Sequence, residues 1–148
     1  MLKKQAEAAN RLGVRLLILN ASSPSDIERA FATLVEQQAG ALLVAADTFF
    51  VGQRDELVAL AARYRIPTSY FRREFIEAGG MISYAAPAVE GGRQAGIYTG
   101  RILKGAKPAD LPVLQPTKFE FVINLKTVRS LGLIIPPGVL AIADEAIE

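Results

Sequence analysis

Two short, almost uninterrupted apolar runs, Arg15-Leu16-Leu17-Ile18-Leu19 and Ala41-Leu42-Leu43-Val44-Ala45-Ala46, are separated by a segment with helical periodicity. A strand that is apolar at every position must be covered on both faces, and the fold that does this is a parallel sheet with helices on either side. The intervening helix is well marked. Ser23-Pro24-Ser25-Asp26 supplies an N-cap, a first-turn proline and an acidic first turn, and Ile27, Phe31, Leu34 and Val35 form one face. Gly40 ends it.

The alternation continues along the chain. Leu57, Leu60, Ala61 and Tyr64 mark a helix closed by Ile66-Pro67, and Thr68 to Phe71 reads as a short strand. A helical turn runs through Phe75 to Gly79-Gly80, followed by a strand over Met81 to Ala85. From Pro87 to about Lys104 the pattern is one long helix with Gly92, Gly96 and Gly100 at intervals of four. Interior glycines cost about 1 kcal/mol each relative to alanine, so the spacing predicts close backbone packing in a soluble core. Pro108, Pro112 and Pro116 make the next stretch an extended connector. Phe119, Phe121 and Ile123 alternate as a strand, Asn124 caps a short helix through Leu125, Val128 and Leu131, and Pro136-Pro137 starts a last helix carrying Leu140, Ala143 and Ile147. The fold class expected is α/β, a parallel sheet with helices on both faces.

With 148 residues, 51% of them hydrophobic, the chain has one domain's worth of core material. It has no cysteine and no histidine, which removes thiolate chemistry, disulfides, histidine metal sites and a histidine general base together. No cofactor is expected. Its 17 Lys and Arg against 15 Asp and Glu are scattered, so nucleic acid is not the expected partner. No apolar run approaches the roughly 18 residues of a membrane span.

Ligands of open parallel sheets bind beyond the carboxyl ends of the strands. The residues there are Asn20, Asp47 with Thr48, Phe49 and Phe50 beside it, Arg72 with Arg73, and Tyr84. A carboxylate beside a hydroxyl and two rings suits a solute with an amine or hydroxyls and an apolar body, whereas the competing reading makes Asp47 a helix cap and buries the phenylalanines. Arg72 and Arg73 suit an anionic group or a solvated loop. Tyr84 offers a ring and a hydroxyl, or packs as an ordinary core tyrosine.

Gly79-Gly80-Met81-Ile82-Ser83-Tyr84, then Arg93 through Gly105, Lys107-Pro108-Ala109-Asp110-Leu111-Pro112, Gln115 through Glu120 and Val122 through Thr127 resemble the ABC transporter substrate-binding proteins of the tryptophan/tyrosine-uptake type. The resemblance implies a type I periplasmic-binding-protein fold, a small-molecule solute such as an aromatic amino acid or aromatic acid, an ABC permease as partner, a periplasmic location and no catalysis. It further implies residues 1–86 as a carboxyl-terminal lobe lacking its first strand, 87–118 as a crossover belonging to an absent amino-terminal lobe, and 119–148 as the return. On that reading the absent strand is central in a 2-1-3 order, leaving a gap between the strands at Leu16 and Leu43 that Phe119 to Ile123 or a segment-swapped second copy would fill. By the same resemblance Asp47, Phe49, Phe50 and the segment from Ser69 to Glu74, with Tyr70 as a further candidate ligand residue, line the cleft. Two other functions fit the same scaffold: a ligand-sensing domain of a transcriptional regulator, and an α/β enzyme using Asp47.

Overall fold

The computed structural model describes residues 2–148 and divides into two units, one ending at Gly40 and the other spanning Ala41–Glu148. In the first, helix α1 (Leu2–Arg11) is followed by irregular chain and by helix α2 (Pro24–Glu36). Ser23 caps α2 by accepting from the Asp26 amide. Hydrogen bonds from Ser23, from Ser22 and from the Arg29 guanidinium hold the Asp26 carboxyl well below the usual carboxylate range. Ile27, Phe31 and Leu34 are the buried face of the helix, as its periodicity requires.

The expected strand from Arg15 to Leu19 does not form. The segment has no regular secondary structure and no ladder partner, and Leu16, Leu17 and Ile18 are exposed. An apolar run becomes a strand only where a neighbouring backbone accepts its hydrogen bonds, and the described residues provide none.

The second unit holds all the sheet. Its elements in order are β1 (Leu42–Leu43), α3 (Thr48–Gly52), α4 (Arg54–Arg63), β2 (Thr68–Tyr70), α5 (Glu74–Glu77), β3 (Ile82–Ala85) and α6 (Ala88–Leu103). A turn of 3-10 helix at Pro108–Asp110 interrupts the proline connector, and β4 (Glu120–Asn124), α7 (Leu125–Ser130), α8 (Pro137–Ala141) and β5 (Glu145–Ile147) complete the chain. The strands lie in the order β1-β2-β3-β4-β5, parallel throughout except that β3 and β4 are antiparallel. Thus β4 extends the sheet beyond β3 and fills no gap beside β1. The last helix stops at Ala141, and Ile147, read as its apolar stripe, lies instead in β5 beside Asn124.

At the other edge, Leu42 and Val44 donate to Pro67 and Ser69 of the β2 segment. Alternate residues of a strand face opposite neighbours, so Leu43 turns its amide and carbonyl away from β2, where the sheet has no strand. The run read as fully buried is therefore an edge, with Leu43 63% exposed.

Both faces of the sheet are covered. Asn124 reaches the Ile76 carbonyl of α5, while Ile123, on the opposite face of β4, packs with Met81, Val128 of α7 and Val139 of α8. Asn124 also caps α7 through the Thr127 amide, as its position predicts. The glycine-spaced helix differs from expectation. Helix α6 buries no side chain, and a methyl group added at Gly92, Gly96 or Gly100 would meet nothing within 4 Å.

Close packing occurs instead at Gly80. A Cβ there would lie 2.7 Å from the Phe75 carbonyl and 2.7 Å from the ring of Tyr70, which is itself stacked on Phe75 at 4.7 Å. A backbone carbonyl cannot retreat as a side chain can. Gly80→Ala should cost about 1–3 kcal/mol by overpacking, whereas Gly96→Ala should stabilise α6 by about 0.5–1 kcal/mol through helix propensity alone. Urea titration of the 148-residue chain separates the two signs.

The Tyr70 hydroxyl is buried with no hydrogen-bond partner among the described residues. Burial pushes its phenol up from 10.0 to about 12, and the nearby Thr68 hydroxyl, committed to the Ile66 carbonyl at 2.9 Å, offsets only part of the shift. The folded chain thus keeps this proton to higher pH than the unfolded chain. The associated stability is complete below pH 10 and is lost as pH rises through about 12. Tyr70→Phe should cost little at neutral pH and flatten the alkaline loss, as read from urea midpoints on either side of pH 10.

Candidate functional site

Because β1, β2 and β3 are parallel, their carboxyl ends lie along one edge of the sheet, and antiparallel β4 brings its amino end to the same edge. Since β5 runs with β4, its first residue, Glu145, also lies there. The edge therefore gathers residues from five separate stretches of chain.

Asp47 follows β1 as the N-cap of α3, where one carboxylate oxygen accepts the Phe49 amide at 2.8 Å. The cap reading of the sequence is realised, and the second oxygen of the exposed carboxylate makes no hydrogen bond among the described residues. Thr48 is exposed, and Phe49 and Phe50 are half-buried with ring centroids 5.4 Å apart. Neither phenylalanine enters the core completely, because α3 is a short helix that buries none of its residues.

After β2 the two arginines divide. Arg73 donates to both oxygens of Glu145, at 2.6 and 2.9 Å, and to Glu77 at 3.2 Å, and the Arg73 guanidinium holds the Glu145 carboxyl below its ordinary value. This bidentate pair ties the start of α5 to the start of β5. Arg72 reaches Glu74 only at 3.5 Å and remains half exposed, so its guanidinium is the more available cation. Tyr70 is a different case. It pairs with Ser83, the neighbour of Tyr84, so it occupies the sheet face opposite Tyr84 and is 1% exposed in the core against Phe75.

Tyr84 is 61% exposed, and its ring is stacked on Phe119 at 5.4 Å and meets Phe121 edge-on at 6.4 Å. The two phenylalanines were not singled out from the sequence. Their signal is the alternation of Phe119 and Phe121, which identifies a strand face but not the strand beside it. A void of about 10 Å³ between Tyr70, Thr68, Gly80 and Met81 has room for one water and not for a solute.

The edge thus offers a free carboxylate oxygen, a hydroxyl, an arginine and several aromatic rings. No group of three or more acidic side chains that could hold a metal occurs among the described residues. No helix described is long and apolar enough to cross a membrane.

No curated protein matches the chain. Its structure is similar to that of a conserved domain protein from Vibrio cholerae, with a TM-score of 0.90 and 23% identity over 98% of this chain and 49% of that one. It is similar to an ABC domain in complex with L-Trp from Streptococcus pneumonia, with a TM-score of 0.85 and 28% identity over 98% of this chain and 51% of that one. A ligand-free, open substrate binding protein with adhesive properties from Clostridium difficile gives a TM-score of 0.67 at 17% identity over 99% and 48%. The chain spans about half the length of each of these proteins. The family model for ABC transporter substrate binding protein matches residues 1–147, and the chain belongs to that family.

Proposed function

We propose that this chain is part of the solute-binding component of an ABC importer, which captures a small molecule without turnover and delivers it to a permease in the membrane. The observation that carries the reading is the family match over residues 1–147. The sheet edge supplies the chemistry, with Asp47 and Thr48 for an amine or hydroxyl, Arg72 for a carboxylate, and Phe49, Phe50 and Tyr84 for an apolar body. Arg73 and Tyr70 support that wall from behind. An aromatic amino acid or aromatic acid fits these groups, and the similar Streptococcus protein is in complex with L-Trp. A periplasmic location accords with this role.

The division of the chain fits a two-lobed receptor. Residues 41–86 and 119–148 share one sheet, whereas α6 and the proline connector between them bury no helix side chain against it. That supports 87–118 as a crossover whose partner is another lobe, and the closing of two lobes on a solute is a known way to signal occupancy.

Asp47 has two jobs on this reading, and they can be separated. Asp47→Asn keeps an oxygen for the Phe49 cap and removes the charge. In the full-length gene product it should weaken an amine-bearing aromatic solute by roughly tenfold to a hundredfold, matching the 1.5–3 kcal/mol of a charge-assisted hydrogen bond. Asp47→Ala should show the same loss and also lower stability by about 1 kcal/mol through the missing cap. Arg72→Ala should matter less, because its side chain must be ordered on binding. Isothermal titration decides; abolished binding in Arg72→Ala with unchanged binding in Asp47→Asn would mean a carboxylate solute held by arginine.

A further inference from the structure

We infer that Tyr84, Phe119 and Phe121 form a stacking shelf that receives the ring of an aromatic solute. The inference rests on the solute-binding reading above and assigns to it a selectivity element, two of whose three residues come from the far end of the proline connector.

Isolated exposed aromatic side chains are ordinary on a protein surface. These three are not isolated. Tyr84 and Phe119 stack nearly parallel, 14° between ring planes, while 61% and 44% of their surfaces stay open to solvent. Parallel stacking occupies one face of each ring, a geometry that a third ring can extend. The shelf also stands where β3 ends and β4 begins, on the strand-end edge where sheet ligands bind.

Its rigidity is built in. Tyr84 and Phe121 are direct cross-strand partners, so strand pairing positions their rings. Phe121 is held further, since its amide donates to the Asp144 carboxylate at 2.8 Å and its carbonyl accepts the Asp144 amide at 2.9 Å. A platform fixed before binding loses little side-chain freedom when a ring arrives. Phe121 also packs against the cluster of Met81, Ile123 and Val128, which seats the shelf on the core.

The test uses the full-length gene product and isothermal titration with two panels of probes: L-phenylalanine, L-tyrosine, L-tryptophan and phenylacetate, against L-leucine and L-valine. Tyr84→Leu and Phe119→Leu keep apolar bulk and remove the ring faces. Each should weaken an aromatic probe by about tenfold. Circular dichroism confirms that each variant is folded, and Phe119→Tyr, which keeps a ring, separates loss of stacking from loss of packing. If both leucine variants bind aromatic probes as the parent does, or if the parent binds only the aliphatic panel, the shelf is overturned while solute capture stands. Should the parent bind neither panel, the solute-binding reading and the shelf fall together.

Discussion

The antiparallel pairing of β3 with β4 is the contact on which the rest of the second unit depends. Four registered pairs, from Ile82 with Ile123 to Ala85 with Glu120, return the chain to the sheet after the helix and proline connector. Without that ladder β5 has no neighbour, Glu145 cannot reach Arg73, and α7 and α8 have no sheet face to cover. The ladder is also what makes a local feature of the sequence into a spatial one, since Tyr84 alone is an exposed tyrosine and Tyr84 beside Phe121 and Phe119 is a surface with a direction.

Elements whose signals are local were legible in the sequence. Ser23 and Asn124 cap helices because each offers an oxygen to an amide three residues on, and nothing distant is needed to see it. Strands were legible only as candidates. Leu16 to Leu19 and Ala41 to Ala46 are both apolar at every position, yet the first forms no ladder and the second pairs only along one side. Hydrophobicity records that a segment needs covering, and says nothing of what covers it. Ile147 shows the same limit, for the three apolar positions at helical spacing, Leu140, Ala143 and Ile147, fall in α8, in the loop after it and in β5.

The candidate site divides in the same way. Asp47 was visible because a carboxylate directly after an apolar run is unusual, and its capping role was visible for the same reason. Tyr70 was misread in emphasis, because strand alternation places it opposite Tyr84 and that parity depends on the exact start of a three-residue strand. Arg72 and Arg73 look equivalent in sequence. Only the fold distinguishes them, by setting Glu145 within reach of one.

Helix α6 has a consequence for how the chain behaves in a cell. It carries four glycines, buries no side chain, and is held to its surroundings by such contacts as the hydroxyl of Tyr98 donated to the Pro112 carbonyl at 2.5 Å. A helix with that composition and so few tertiary contacts opens at a small fraction of the cost of global unfolding. Proteolytic enzymes act on transiently opened backbone, and α6 with its C-cap offers them the basic residues Arg93, Arg101 and Lys104. Whatever covers α6 would then raise the cost of opening it, and with it the resistance of the chain to cleavage.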